Sequence, residues 1–421
     1  MQFPKLTTRT GLAATAAVAI AGLGLAPAQA ALAAPTLPIP IPCNSGILAS
    51  AVAGAPSGST LLLTPGCTYI LTAGLPDINK TLAFVGPATL ERSGAEETPD
   101  FSIMTVDKGG HVLLQNVSFL GGFADKEGNG GGAIANGGTV IVNGGLFSYN
   151  FASYEDGAGG AIFNDGFLQV TGATFIHNHS KYGGAIYNND TASVRLSHFT
   201  DNSVSSEGGG IFNEVSIHVD LSTFRDDSAT YGGGIYVDDE HTTISNSQFT
   251  DNGAEYGGGV YSYYPSVMSN DTFDGNGGEG CSEGGAIYND DVTTLAGSTL
   301  SENTCDYGGG LYNAEDGNIT ATHDVFETNS AGTDGGGIYN YEGDVALSAS
   351  KIHNNDAGED GGGMDNVGSA TITDSQITQN TAGDTGGGIY NDDSTTLSKS
   401  SVYANKPNNC APLGSVAGCF G

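Results

Sequence analysis

The feature that most limits what this chain can fold into is a repeat. A glycine run followed by an aliphatic residue returns along most of the sequence, as in GGAIYN (183–188), GGGIFN (208–213), GGGLYN (308–313) and TGGGIYNDD (385–393). The aliphatic markers are Ile134, Ile162, Ile186, Ile211, Ile235, Val260, Ile287, Leu311, Ile338, Met364 and Ile389. Their spacings are 28, 24, 25, 24, 25, 27, 24, 27, 26 and 25 residues. A second signature lies between them, an apolar residue followed three positions later by Asn. It runs through Phe147/Asn150, Phe175/Asn178, Phe199/Asn202, Phe249/Asn252, Phe273/Asn276, Leu300/Asn303, Phe326/Asn329, Ile352/Asn355, Ile377/Asn380 and Val402/Asn405, and Phe224/Asp227 bends the rule. Two signatures locked in one period mark a repeat architecture.

The unit holds no amphipathic run long enough for a helix. Segments such as TTISNSQF (242–249) and ASVRLSHF (192–199) alternate apolar with polar residues and are broken by Gly, Asn and Asp, the pattern of short strands and turns. Strands repeating every 24–28 residues predict an all-β chain, a right-handed parallel β-helix with three strands per coil. Successive coils pair at about 4.8 Å. In GGGIYN the Ile is expected to point inward and the Tyr outward, because strand neighbours alternate faces. The Asn is expected at the turn, in a left-handed conformation and stacked on its counterparts.

The cysteines test this register. Cys281 lies six residues before Ile287 and Cys305 six before Leu311, so they occupy equal offsets in adjacent coils, within disulfide reach. Cys43 with Cys67 and Cys410 with Cys419 are the other expected pairs. Six cysteines suit an oxidising compartment.

Five segments are expected. Residues 1–30 read as a signal peptide, with Lys5 and Arg9, an Ala-rich apolar run and Ala28-Gln29-Ala30 as cleavage site. Residues 31–42 read as a Pro-rich linker, 43–118 as an N-terminal cap with the first coils, 119–405 as the repeat helix, and 406–421 as a disulfide-closed C-terminal cap. SGILASAVAGA (45–55) is the expected capping helix. The chain is therefore read as secreted, with no membrane insertion after cleavage, and as a monomer.

Charge narrows the partners. Among 421 residues, 46 are Asp or Glu and 12 are Lys or Arg, for a net charge of −34. Removing Lys5 and Arg9 with the leader leaves −36. Nucleic acid is not an expected partner, because phosphate contacts need basic side chains. Neutral sugars or cations fit better.

The pairing of GGAI (131–134, 159–162, 183–186 and 284–287) with the FxxN sites resembles the repeats of chlamydial polymorphic outer membrane proteins. These and related bacterial β-helix proteins fall in the pectin-lyase-like superfamily. The resemblance covers about residues 119–405 and implies the β-helix fold. It also implies either a surface adhesin or autotransporter passenger, or a polysaccharide lyase or hydrolase. The chlamydial proteins carry a membrane β-barrel that has no counterpart up to Gly421, and the N-terminal cap instead resembles those of secreted actinobacterial β-helix proteins.

Candidate chemistry follows the columns. The residue after each marker is aromatic at Phe163, Tyr187, Phe212, Tyr236, Tyr261, Tyr288, Tyr312, Tyr339 and Tyr390, and is interrupted by Asp365. Such rings either stack on one another or receive sugar rings along a polysaccharide. GGGVYSYYPS (257–266) is irregular: the Asn column fails at Val237 and Ser262, and Tyr261, Tyr263 and Tyr264 cluster beside Pro265. The candidate glycan-binding set is Tyr187, Phe212, Tyr236, Tyr261, Tyr263, Tyr264, Tyr288, Tyr312, Tyr339 and Tyr390.

Asp190, Asp238, Asp239, Asp290, Asp291, Asp392 and Asp393 form an acidic group after the strand. Like charges one coil apart repel by roughly 0.9 kcal/mol in water, which bound Ca²⁺ would relieve. Their spacing matches no Ca²⁺ loop, so a solvated acidic face is the expectation. His177, His179, Lys181, Arg195, His198, His218, Arg225 and His241 crowd the early coils at unequal offsets and are expected to scatter around them. With no recognisable catalytic motif, the expected function is non-catalytic binding of polysaccharide or cell surface. The alternatives are a lyase or hydrolase, and a structural envelope component.

Overall fold

A computed structural model describes residues 37–124, 130–153, 157–239 and 241–420. The signal-peptide expectation at 1–30 lies outside them. The described residues form a right-handed parallel β-helix.

A coil such as Ile186–Asn188, Thr191–Arg195, His198–Thr200 and Ser203–Glu207 holds four short strand segments instead of three. They supply three sheets, because the segments on either side of Leu196-Ser197 belong to one long sheet that bends there. Leu196 makes the bend with φ +52°, and its equivalents Leu221 (+51°) and Asn246 (+52°) repeat it. The marker strands form a 13-stranded parallel sheet running from Met104–Val106 to Cys410–Ala411. Its register places Ile162, Ile186, Ile211, Ile235 and Val260 directly over one another.

The core is a set of columns. Phe119, Phe147, Phe175, Phe199, Phe224, Phe249 and Phe273 are fully buried, and their rings stack at 4.5–5.0 Å. The glycine run explains itself at Gly232 and Gly233. The first adopts φ +65°, open to glycine at little cost. A Cβ on the second would lie 2.4 Å from the Gly258 carbonyl of the next coil.

The Asn of GGGIYN stacks as expected, Asn188 Nδ2 donating to Asn213 Oδ1 at 2.7 Å, but its φ is not positive. The Asn of FxxN stacks as well, and there a left-handed residue does stand at the corner. It is the one before the Asn: Tyr149, His177, Asp201, Asp226 and Asp251 have φ of 52–55°. The Asn itself points inward and satisfies the corner. Asn178 Nδ2 donates to Asn202 Oδ1 at 2.9 Å and to the Phe147 carbonyl at 3.0 Å, while Asn202 Oδ1 also accepts the Asn178 N–H at 3.1 Å. Each rung thus removes buried donors and acceptors that would otherwise be costly.

A helix covers one end of the coil stack and a disulfide loop the other. Helix Ser45–Gly54, capped by Asn44, buries Leu48 and Val52 over the first coil. Val416 is buried beside the Cys410–Cys419 bridge at the other end. All three expected disulfides form, with Cα separations of 5.7, 4.8 and 6.2 Å for Cys43–Cys67, Cys281–Cys305 and Cys410–Cys419. One boundary moves: Ile39–Ile41, read as linker, is a strand paired in parallel with Leu61–Leu63. Ile41 is buried there, and its carbonyl accepts the Tyr69 hydroxyl at 2.8 Å.

Candidate functional site

The outward column of the marker sheet is a ladder of rings. Phe163, Tyr187, Phe212, Tyr236, Tyr261, Tyr288, Tyr312 and Tyr339 stack in unbroken order, with centroids 4.5–5.5 Å apart. The column is far less exposed than its outward direction suggests: Tyr261 is 8% exposed and Tyr312 7%. Each ring face is covered by the next ring, and tyrosines from the preceding bend press edge-on against the stack. Tyr231 meets Tyr261 at 5.4 Å and 83°, and Tyr256 meets Tyr288 at 6.1 Å and 89°. Sugar rings therefore cannot lie on these faces. What the ladder offers is its outer edge.

That edge is polar. Burial raises the phenols of Tyr187, Tyr236, Tyr261, Tyr288, Tyr312 and Tyr339 above the ordinary tyrosine range, so they remain neutral hydroxyls. The Tyr187 hydroxyl donates to the Glu214 carboxylate. Asp238 sits at the end of one marker strand and is pushed up to about 6, by burial first and then by Glu214, Glu207 and Asp239. Burial also raises Asp290, with Asp316 and Asp291 adding to it. Asp190, Asp392 and Asp393 are exposed, whereas Asp239 and Asp291 are half-buried. Among the described residues no group of three His, Cys, Asp or Glu is placed to hold a metal ion.

The irregular coil is a true defect. Val237 cannot accept, so Asn213 Nδ2 turns to the Thr242 hydroxyl at 2.9 Å. Ser262 is too short to reach the next rung and pairs with Ser266 Oγ at 2.7 Å, leaving Asn289 Oδ1 without a partner. Just there Tyr263 and Tyr264 protrude, 43% and 39% exposed, one ring edge-on to the other at 5.1 Å. Like Tyr149, Phe167, Tyr341 and Tyr403 elsewhere on the rod, they expose ring surface of the kind that the ladder covers.

The basic residues do not meet at one point. His179 and Lys181 lie on the third sheet, Arg195, His218 and His241 on one limb of the long sheet, and His198 and Arg225 on the other. Their contacts are local: Arg195 to Asp220 at 3.0 Å, Arg225 to Asp226 at 3.2 Å, His241 to Asp239 at 3.1 Å, and His198 and His218 each to a threonine at 2.8 Å.

Sequence reasoning missed two groups. The edge-on tyrosines Tyr182, Tyr231, Tyr256 and Tyr307 stand four residues before their markers, a constant offset that signalled them. The second group is buried acids, of which the sequence marks Asp227 and Asp365 as breaks in their columns but does not mark Asp271 and Asp324. Asp271 and Asp324 replace Ser in a corner column, where they accept the backbone N–H of Ser247 and Ser298, each at 2.7 Å. Asp227 replaces Asn in its ladder, and Asp365 replaces a ring in the aromatic one. Each keeps one carboxyl oxygen with no partner. Burial pushes Asp271 and Asp324 up to about 7 and Asp365 to about 8, the last helped by Asp334, Asp360 and Asp392, and it raises Asp227 as well. Protonation spares each of them the cost of a buried charge.

Residues 172–189 match the Chlamydia polymorphic membrane protein repeat. No curated protein matches the chain. Among solved structures, it is similar to tailspike protein 3 of bacteriophage CBA120, at 11% identity and TM-score 0.40, over 88% of this chain and 59% of that one. It is also similar to the A-module of the Azotobacter vinelandii mannuronan C-5 epimerase AlgE6, at 12% identity and TM-score 0.28, over 88% of this chain and 92% of that one. At these values the likeness does not bear on function.

Proposed function

We propose that the protein is a non-catalytic, surface-acting β-helix that binds polysaccharide along its ladder face. The observation that carries this is the row of neutral tyrosine hydroxyls with carboxylates beside it, repeated at one coil spacing along a rigid rod. A polysaccharide presents its own hydroxyls at a regular interval, so many weak hydrogen bonds add up along the chain. Tyr263 and Tyr264 supply the open rings on which a sugar can stack. The edges of Tyr187, Phe212, Tyr236, Tyr261, Tyr288, Tyr312, Tyr339 and Tyr390 line the remaining track. The three disulfides suit a secreted protein working at a cell surface.

Retention on insoluble cellulose, chitin, xylan and mannan tests this. The wild type is expected to be held by at least one of them. The Tyr263→Ala/Tyr264→Ala double variant should be held about ten-fold less, since a stacked sugar ring contributes about 1–1.5 kcal/mol. Passage of the folded wild type through all four without delay contradicts the proposal.

A further inference from the structure

The ring ladder has an abrupt N-terminal end. The register that stacks Tyr187 on Phe163 continues to Ala135 and then Thr105, so two consecutive coils carry no ring. Space opens there. A cavity of about 540 Å³ is floored by Thr105 and Ala135, closed by Phe163, and ringed by Asp107, Lys108, Asp165 and Asp190. A second, of about 360 Å³, shares Thr105 and Ala135 and is walled by Leu75, Asp77, Asp100 and Phe101. Arg92 fixes the latter wall, at 3.0 Å from Asp100 and 5.7 Å over the Phe101 ring. Volumes of this order suit small ligands.

We propose that this trough is a second glycan site, taking one or two neutral or amine-bearing pyranose rings from the end of the polysaccharide that the ladder face holds. It rests on the glycan reading of that face. The chemistry of the walls sets the ligand class. Ala135 and the uncovered part of the Phe163 ring offer apolar surface for the C–H face of a sugar, and the carboxylates stand around the rim as hydrogen-bond acceptors. Asp165 already accepts from Asn189 Nδ2 at 3.1 Å and Asp190 from the Thr191 hydroxyl at 3.1 Å, which orients both. Neither Asp107 nor Lys108 has an ion-pair partner among the described residues. Five acids face two bases, so a uronic acid is disfavoured by charge. A peptide is disfavoured by topology. Met104–Val106 ends its sheet and pairs on one side with Ile134–Asn136. On its outer side the Ile78 N–H already donates to the Thr105 carbonyl and the Ile78 carbonyl accepts the Asp107 N–H, each at 3.0 Å, so the floor offers no free edge for strand addition.

Calorimetric titration of the full chain with chitosan trimer, cellotriose, trigalacturonate and tetralysine tests the proposal, run beside the polysaccharide retention assay. Chitosan trimer or cellotriose is expected to bind at least ten-fold more tightly than trigalacturonate. Ala135→Phe, which adds the missing ring, should weaken that binding ten-fold or more while leaving the melting temperature unchanged or higher. Thr105→Tyr blocks the next coil and serves if the first variant does not fold. A folded blocking variant that binds the trimers like the wild type overturns the proposal. So does trigalacturonate or tetralysine as the tightest ligand. Retention on insoluble polysaccharide without any trimer binding removes the trough alone, whereas loss of retention as well removes the ladder reading with it.

Discussion

Two aromatic ladders run along the same rod. The inner one, Phe119 to Phe273, and the outer one, Phe163 to Tyr339, have nearly the same ring spacing because both inherit it from strand pairing. Stacking is therefore a product of register and says nothing of ligands. The difference lies in what remains uncovered: nothing on the inner ladder, a line of ring edges and hydroxyls on the outer. Removing a ring should thus cost stability in one place and binding in the other.

The sharpest contrast is Phe224→Ala, which empties a fully buried position between two stacked rings. A loss of about 3–5 kcal/mol in denaturant unfolding is expected. The Cys281→Ala/Cys305→Ala double variant comes next, at about 2–4 kcal/mol. It clips together the coils just beyond the irregular one.

Third are the acids. A carboxyl whose folded-state pKa is raised binds more protons folded than unfolded, so its contribution is complete below the unfolded value and is lost as pH rises through the folded one. For Asp271, Asp324 and Asp365 that window runs from about 4 to the 7–8 of the folded state. Thermal melts should therefore fall between pH 5 and pH 8. Asp227→Asn restores an amide rung and should stabilise the protein at pH 8 by about 1–3 kcal/mol, and flatten the slope. A melt that rises over this range contradicts the buried-acid assignment.

The smallest expected change in stability is at the outer edge. Tyr236→Phe/Tyr261→Phe/Tyr288→Phe keeps the rings and removes three hydroxyls. Stability should shift by less than about 1.5 kcal/mol per position, while retention on polysaccharide drops. If retention is untouched, the hydroxyl row is not the binding surface.

The sequence carried the coil register well, because a period is written along one dimension. The markers, the inner phenylalanines and the Cys281–Cys305 bridge all fall where equal offsets place them. Features that depend on what lies beside a column were harder to read. Tyr231 and Tyr256 are edge-on supports only because the bend brings them against the next coil's ring. The column containing Ser247, Asp271, Ser298 and Asp324 is a corner of small polar residues with no apolar marker to announce it. The trough at Ala135 and Thr105 is defined by missing rings, one of them in a coil upstream of the first glycine marker. The left-handed residue lies at another corner, just before the Asn of FxxN, whereas the GGGIYN Asn turns inward to the amide of the next coil.

The claim beneath both ladders is that coils lie directly over one another, straight through the irregular segment at 260–266. Thr243 and Thr371 are exposed and share one column through Val267, Thr294, Thr320 and Ala346, five coils apart. Spin labels at these two positions, read by pulsed electron resonance, should give one narrow distance near ~24 Å, five strand spacings. Moving the second label to Thr396, one coil further, should lengthen it by about 5 Å. A broad distribution, or a distance that does not grow by one spacing, contradicts the stacked register.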